Sequence, residues 1–261
     1  MIQAKRFTAV TLLITGLFLT GCASVENRHD PLESMNRSVF AFNEVVDEKI
    51  MEPVARGYKA VVPDPVEMVI GNFFSNLNDV VVTANALLQL NFPDAAASGT
   101  RVLLNTTFGM LGMIDIASDV SNASDINISK RNEDFGQTLG HYGVSTGPYL
   151  VLPFMGPSTV RDVVGIGVDG YFADPVTSVF TMKRINHSLH KSLDATVRAP
   201  VTGLRLVNLR AELIGTDKML EEAALDKYEF IRDAYMQRRN SLVHNGDVPD
   251  IEDEWDEEWD E

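Results

Sequence analysis

Twice in its first third the chain spells Asp-Pro-x-Glu ahead of an apolar repeat of helical period, at Asp30-Pro31-Leu32-Glu33 and at Asp64-Pro65-Val66-Glu67. An acid at the cap, a proline in the first turn and a carboxylate at the third position form a variant of the capping box, a helix start that a strand has no use for. Met35, Val39, Phe42 and Val46 follow the first start at spacings of four, three and four; Val66, Ile70, Phe73 and Leu77 follow the second. Each set predicts one apolar helix face. A third Asp-Pro, Asp174-Pro175, opens Val176 to Met182, and Pro93-Asp94 precedes a helical stretch through Leu104. Prolines placed at starts predict an all-α fold.

The last long helix is capped by Thr216 and stopped by Gly246, with Met219, Leu220, Ala223, Ala224, Tyr228, Ile231, Ala234 and Tyr235 as its inner stripe. Glu221, Glu222, Glu229, Arg232, Arg238 and Arg239 decorate the other side. The middle of the chain differs in character. From Phe108 to Gly170 glycine recurs at 109, 112, 136, 140, 143, 147, 156, 165, 167 and 170, which predicts short helices joined by apolar turns. Pro148 and Pro153 bracket Tyr149 to Leu152 into at most one short strand.

The N-terminus is read as an address. Lys5 and Arg6 precede an apolar stretch from Phe7 to Leu19, which is too short to span a bilayer comfortably and has the form of an export signal. It ends at Leu19-Thr20-Gly21-Cys22, the pattern of a bacterial lipid-attachment site, and Cys22 is the one cysteine of the chain. A lipid-transferring enzyme needs a nucleophilic sulfur beside a residue as small as Gly21. The expected organisation is a signal peptide over 1–21, a lipidated tether over 22–29, a single helical domain over 30–246 and a disordered acidic tail over 247–261. Ala23 stands where an inner-membrane retention signal places Asp, so by analogy with other lipoproteins sorting to the outer membrane of a Gram-negative cell is expected. With one cysteine no disulfide can form within the chain, and packing alone must hold the fold.

The net charge of -15 is concentrated: nine acids between Asp250 and Glu261 leave the rest at about -6. Nucleic acid, which demands a basic face, is excluded as a partner. Simple electrostatic adhesion to anionic lipid is disfavoured as well. After Cys22 no apolar run reaches the length of a spanning helix, so deeper bilayer contact requires amphipathic helices or a membrane partner. Both tryptophans, Trp255 and Trp259, lie four apart in the acidic tail, which is read either as a solubilising end or as a docking peptide for a basic, grooved partner.

Gly143-Val144-Ser145-Thr146-Gly147 matches G-x-S-x-G, the nucleophile elbow of lipases, but the elbow needs a buried strand before it and a helix directly after. Two glycines, a glutamine and a histidine fill Phe135 to Tyr142, and Pro153 closes the downstream side, so catalytic Ser145 is disfavoured. His187 and His190 could share a helix face, yet no further ligand lies at a metal spacing. Arg161-Asp162 and Glu133-Asp134 read as salt bridges or caps. No cofactor motif is present.

Five blocks in order behind the lipid-attachment pattern resemble the VacJ/MlaA phospholipid-transport lipoproteins: Asp30 to Glu33 with Met35-Asn36-Arg37 and Phe42-Asn43; Asn105-Thr106-Thr107; Glu133 to Gly140; Gly147-Pro148-Tyr149 through Leu152-Pro153; and Gly156-Pro157-Ser158 with Arg161-Asp162. The resemblance covers roughly residues 28 to 245. It implies a doughnut-shaped helical lipoprotein seated in the inner half of the outer membrane beside a trimeric porin. Such a protein passes mislocalised outer-leaflet phospholipid through a central amphipathic channel to a soluble periplasmic carrier, without an enzymatic step. A Gly-Val-Gly stretch of the family resembles a hinge beside the channel. Here Gly143-Val144 matches and Ser145 replaces the second glycine, so Gly140, Gly143, Ser145 and Gly147 are the candidate channel and hinge residues. A structural envelope lipoprotein and a lipid hydrolase using Ser145 are the competing classes. Lifting a two-chain phospholipid into water exposes roughly 28 methylenes, on the order of 20 kcal/mol at ~0.8 each, so transfer needs a continuous covered path rather than a reactive group.

Overall fold

The proline-marked starts lie at the heads of helices. The computed structural model of the chain describes residues 30–176, 195–215 and 225–246. Its helices are α1 (Glu33–Val46), α2 (Glu52–Val61), α3 (Asp64–Leu88), α4 (Phe92–Thr107), α5 (Ile116–Ala123), α6 (Phe135–His141), α7 (Val160–Val168), α8 (Ala195–Glu212) and α9 (Lys227–Val243). The all-α expectation holds, with one correction. Tyr149–Leu152 (β1) is paired antiparallel with a second strand, Gly156–Thr159 (β2), in register Tyr149 to Thr159 and Leu152 to Gly156. Pro157 sits in β2, which a two-stranded hairpin tolerates because each strand keeps a free edge.

Helices α1 and α2 form one continuous rod through a π-helical segment, Asp47–Met51. Pro53 lies in the first turn of α2 and has no N–H to return to the preceding turn, and the widened segment absorbs that break. Helices α3 and α4 pack as a pair around a turn at Leu90, whose φ is +59°. Asn91 caps α4 by accepting from Asp94 N at 3.3 Å. Helix α8 packs on α2 and α3, and α9 packs on α6 and β2.

Two of the expected caps act differently. Leu32, not Asp30, precedes α1, and no side chain caps that helix. Asp30 is fully buried and accepts hydrogen bonds from Asn36 Nδ2 (2.9 Å) and the Tyr228 hydroxyl. Asp64 is itself the first residue of α3 and makes no side-chain cap bond. At the third start Asp174 Oδ1 accepts from Val176 N at 2.9 Å, and the rest of the stretch it was expected to open lies beyond Val176, outside the described residues.

The expected apolar faces are buried only in part: Val39, Tyr228 and Tyr235 pack in a core with Tyr149 and Val151, but other members do not. In α1 the buried residue is Asn36, and Phe42 is exposed. In α3 Val66 is exposed, while Asn76, Asp79 and Asn85 are buried alongside Phe74, Val81, Val82 and Ala86. In α9 Ala234 faces solvent, whereas Arg239, assigned to the outer side by its charge, is buried with Tyr228. Arg232 also turns in, its guanidinium 5.9 Å from the centre of the Tyr228 ring. Among the described residues eighteen polar or charged side chains are buried against fourteen apolar ones, most of these small. Large apolar groups are displayed instead, including Phe92, Leu103, Phe108, Met110, Leu111, Phe154 and Phe172, each more than 60% exposed. The molecule is polar inside and oily outside.

Cys22 and the tether, the stretch beyond Val176 that includes His187 and His190, Thr216 with Met219, Leu220, Ala223 and Ala224, and the tail with Trp255 and Trp259 lie outside the described residues. Helix α9 is described from Lys227, capped by Asp226, which accepts from Tyr228 N and Glu229 N.

Candidate functional site

The block Glu133 to Gly140 builds the centre of the polar interior. Asp134 stands extended ahead of α6 and accepts from Gln137 N at 2.8 Å, so it is the helix cap. The same carboxylate takes Gln137 Nε2 at 3.0 Å and both terminal nitrogens of Arg239. Arg239 Nη2 also donates to Asp162 Oδ1 at 2.7 Å, and the Tyr235 hydroxyl donates to Asp162 Oδ2 at 2.6 Å. Asp134 and Asp162 thus bind one arginine from two different helices. Burial alone would lower the Arg239 guanidinium pKa, but its bonds to Asp134 and the charges of Asp134 and Asp162 raise it overall. Burial likewise opposes ionisation of Asp134, and Arg239 outweighs it and holds that carboxyl below its usual range.

Glycine lets this arginine through. A Cβ on Gly136 would stand 2.6 Å from Asp162 Oδ1 and 2.9 Å from Arg239 Nη2, and one on Gly165 would press on the Gly136 backbone, 2.9 Å from its Cα. α6 and α7 meet backbone to backbone there, and the ion pair fills the space beside them.

The opposite flank of α6 continues the network. Thr138 Oγ1 donates to Asn85 Oδ1 (3.0 Å), Asn85 Nδ2 to Asp169 Oδ1 (2.8 Å), and Phe135 N to Asp169 Oδ2 (2.8 Å). Gln89 Nε2 donates to Glu133 Oε2 at 2.6 Å. Burial pushes the Glu133 carboxyl up to about 7, opposed by the Gln89 bond and helped by the Asp134 charge. A cleft of about 260 Å3 opens beside these groups, lined by Asn78, Glu133, Asp134, Gln137, Tyr235 and Arg239 among others.

A second charged centre joins α3, α4 and α5. Arg101 is 1% exposed and places all five N–H groups: Nε on Asp79 Oδ2 (3.2 Å), Nη1 on Ser118 Oγ (3.2 Å) and Ile128 O (3.1 Å), and Nη2 on both oxygens of Asp115 (3.0 and 2.8 Å). Asn105 completes it, donating to Asp115 Oδ1 at 3.0 Å and accepting from Ala117 N at 2.9 Å.

The hairpin is held to α1 by side-chain amides. Asn36 donates to Tyr149 O and accepts from Val151 N, both at 2.9 Å; Asn43, two turns on, donates to Leu152 O (2.9 Å) and accepts from Phe154 N (2.8 Å). Two asparagines thereby stand in for a third strand along β1.

The four candidate hinge residues lie together at the end of α6. Gly140 is its penultimate residue and is hemmed in, a Cβ there falling 2.7 Å from Arg161 Nη1. Gly143, φ +83°, closes the helix: its N–H donates to Gly140 O (2.8 Å) and Val144 N to Leu139 O (3.0 Å), the pattern of a left-handed helix stop. Ser145 is exposed in the following loop, with a helix rather than a strand before it, so the elbow geometry is absent. Gly147, φ +65°, ends the loop before β1. Arg161 ties the loop down, donating from Nη1 to Val144 O (3.2 Å) and from its backbone N to Thr146 O (3.1 Å). Asp134 is a cap and ion-pair partner and Asp162 an ion-pair partner, as read from the sequence, whereas Glu133 is neither and accepts from Gln89. Arg101 and Arg239 as hubs were not legible; the spacing Tyr228, Arg232, Tyr235, Arg239, alternating four and three, was the available signal. Among the described residues no group of three or more His, Cys, Asp or Glu is placed to hold a metal, and no helix is long and apolar enough to cross a membrane.

Comparison with known proteins places this architecture. The MlaA lipoprotein family matches residues 28–242. The chain is 36% identical over 248 residues to the intermembrane phospholipid transport system lipoprotein MlaA of Escherichia coli K12, covering 93% of this chain and 90% of that one. It is 31% identical over 249 residues to the protein of that name from Haemophilus influenzae, covering 93% and 92%. A solved structure described as the structural basis for maintenance of bacterial outer membrane lipid asymmetry superposes with a TM-score of 0.67 at 33% identity, over 83% of this chain and all of that one. With the ordered blocks, the helical fold and these matches in agreement, the chain belongs to the MlaA lipoprotein family.

Proposed function

We propose that this protein is the outer-membrane component of a phospholipid transport system. It removes mislocalised phospholipid from the outer leaflet through an amphipathic channel and delivers it to a soluble periplasmic carrier, so maintaining lipid asymmetry. The observation that carries this reading is the inverted distribution of side chains, with acids, amides and arginines inside and large apolar groups outside. A water-borne protein that buries its charges and displays this much apolar surface has the hydrophobic effect against it, whereas one set among acyl chains has a matched surround. The absence of a spanning helix among the described residues suits a seat in one leaflet. The relatives' names, an intermembrane phospholipid transport system lipoprotein, agree with it.

In this reading Cys22 carries the lipid anchor and holds the domain on the periplasmic face of the outer membrane. A trimeric porin is its membrane neighbour. The loop of Gly143, Ser145 and Gly147 beside Gly140 is the hinge of the lipid path, with Gly143 and Gly147 at positive φ as its pivots. Trp255 and Trp259 dock the soluble carrier. Transport proceeds without covalent chemistry, and Ser145 has no nucleophilic role. The test is the phospholipid content of the outer leaflet with and without the protein. Deletion raises it and sensitises cells to detergent, the wild-type chain restores both, and Cys22→Ala does not. An unchanged outer leaflet on deletion refutes the reading.

A further inference from the structure

The cleft beside α6 is unbalanced in both charge and hydrogen bonding. Asp134 and, behind it, Asp162 are ion-paired with Arg239, and Arg161 stands 3.5 Å from Asp162, whereas Glu133 forms no ion pair among the described residues and takes only Gln89 Nε2. Gln137 is 2% exposed and lines the cleft, yet its Oε1 accepts no hydrogen bond from the protein. Arg239, also buried, leaves Nε without an acceptor. Unmet buried groups of this kind cost about 1–3 kcal/mol each, so a ligand that supplies their partners is favoured. Acceptors are in surplus on the inner wall, and the missing group is therefore a compact cation rich in N–H donors. At the rim stands exposed Arg238, a guanidinium suited to an anion, with Asn78 and Asn132 beside it.

We propose that this cleft is a recognition site for a primary ammonium joined through a short linker to a phosphate, the chemistry of an ethanolamine phospholipid headgroup. The ammonium donates to Gln137 Oε1 and to the Glu133 and Asp134 carboxylates, and Arg238 takes the phosphate. At about 260 Å3 the cleft falls just below the ~300–1,000 Å3 range of drug-sized ligand sites, which suits a headgroup and excludes two acyl chains. A choline head has no N–H to give, so its methyl groups would leave Gln137 Oε1 unmet. A glycerol head brings no positive charge. Glu133 gains most: burial holds its carboxyl up to about 7, and an ammonium beside it supplies the counter-charge that favours its ionised form.

This inference rests on the phospholipid-transport reading only for the source of the headgroup. The test is calorimetric titration of the full lipidated protein in detergent with dihexanoyl phosphatidylethanolamine, its choline and glycerol counterparts, and free O-phosphoethanolamine. The ethanolamine lipid should bind about tenfold tighter than the other two lipids, the size of one charge-assisted hydrogen bond. Glu133→Gln should remove that preference. Arg238→Ala, an exposed change that leaves folding intact, should weaken every phosphate-bearing probe several-fold. Equal binding of the three lipids, or a preference that survives Glu133→Gln, overturns the site. Equal affinity for the free and the lipid-borne headgroup overturns its assignment to transported lipid. None of these outcomes depends on outer-leaflet lipid content, so the site and the transport reading can fail separately.

Discussion

Arg101 and Arg239 are both buried guanidiniums flanked by two aspartates, yet they are satisfied in different ways. Arg101 uses all five N–H groups on partners no more than 27 residues away, from α3 to the segment after α5. Arg239 reaches carboxylates 77 and 105 residues distant, lies against Gly136 of α6 where that glycine packs on Gly165 of α7, and keeps Nε unmet at the edge of a cleft. The first centre uses every donor of its arginine and, among its own side chains, leaves only Asp79 Oδ1 unmet. The second is closed only when three distant pieces of chain have assembled, and it retains capacity for a ligand. Equivalent residue chemistry has produced a rivet in one place and a socket in the other.

The strongest way to break the comparison is to remove each arginine. Arg101→Leu strands Asp79, itself 1% exposed, and should cost about 3–5 kcal/mol in denaturant unfolding in detergent. Arg239→Leu should cost less, about 2–3 kcal/mol, because Asp134 keeps its bonds to Gln137 and Asp162 keeps the Tyr235 hydroxyl. Equal losses would mean that the two centres are alike. Gly136→Ala leaves both arginines in place but drives a methyl into the Asp162–Arg239 pair, and should destabilise by about 1–3 kcal/mol while the Arg101 centre stays protected from hydrogen exchange.

The last effect is titration. The Glu133 carboxyl is raised from 4.5 to about 7 by burial, so its stabilising contribution is complete below pH 4.5 and is lost as pH rises through 7. Between pH 5 and pH 8 the wild-type unfolding free energy should therefore fall by about 2 kcal/mol more than that of Glu133→Gln. Parallel pH profiles would remove Glu133 from the comparison.

These centres explain which parts of the molecule could be read in advance. Helix starts were legible because a proline beside an aspartate acts locally: Pro65, Pro93 and Pro175 each sit in a first turn, whatever surrounds them. Inner faces were legible only in part, Val39, Tyr228 and Tyr235 being inside as read, because apolar periodicity identifies the buried side reliably only when water is outside. In α1 it chose Phe42 over Asn36, and in α9 charge sent Arg239 outward. The second strand escaped because Gly156 and Pro157 read as a turn, and only the pairing with β1 makes them a strand. The resemblance found Asn36, Asn105 and Asp134 by pattern without saying what they hold. The cleft joins α3, α6 and α9, and no local pattern could announce it.

The oily exterior has a consequence for how this protein reaches its place. On the proposed outer-membrane reading, it crosses an aqueous compartment between export and arrival while carrying Phe92, Phe108, Leu111, Phe154 and Phe172 on its outside. For such a molecule the hazardous stage is the journey: two copies meeting in water would adhere through the surfaces that later rest among acyl chains.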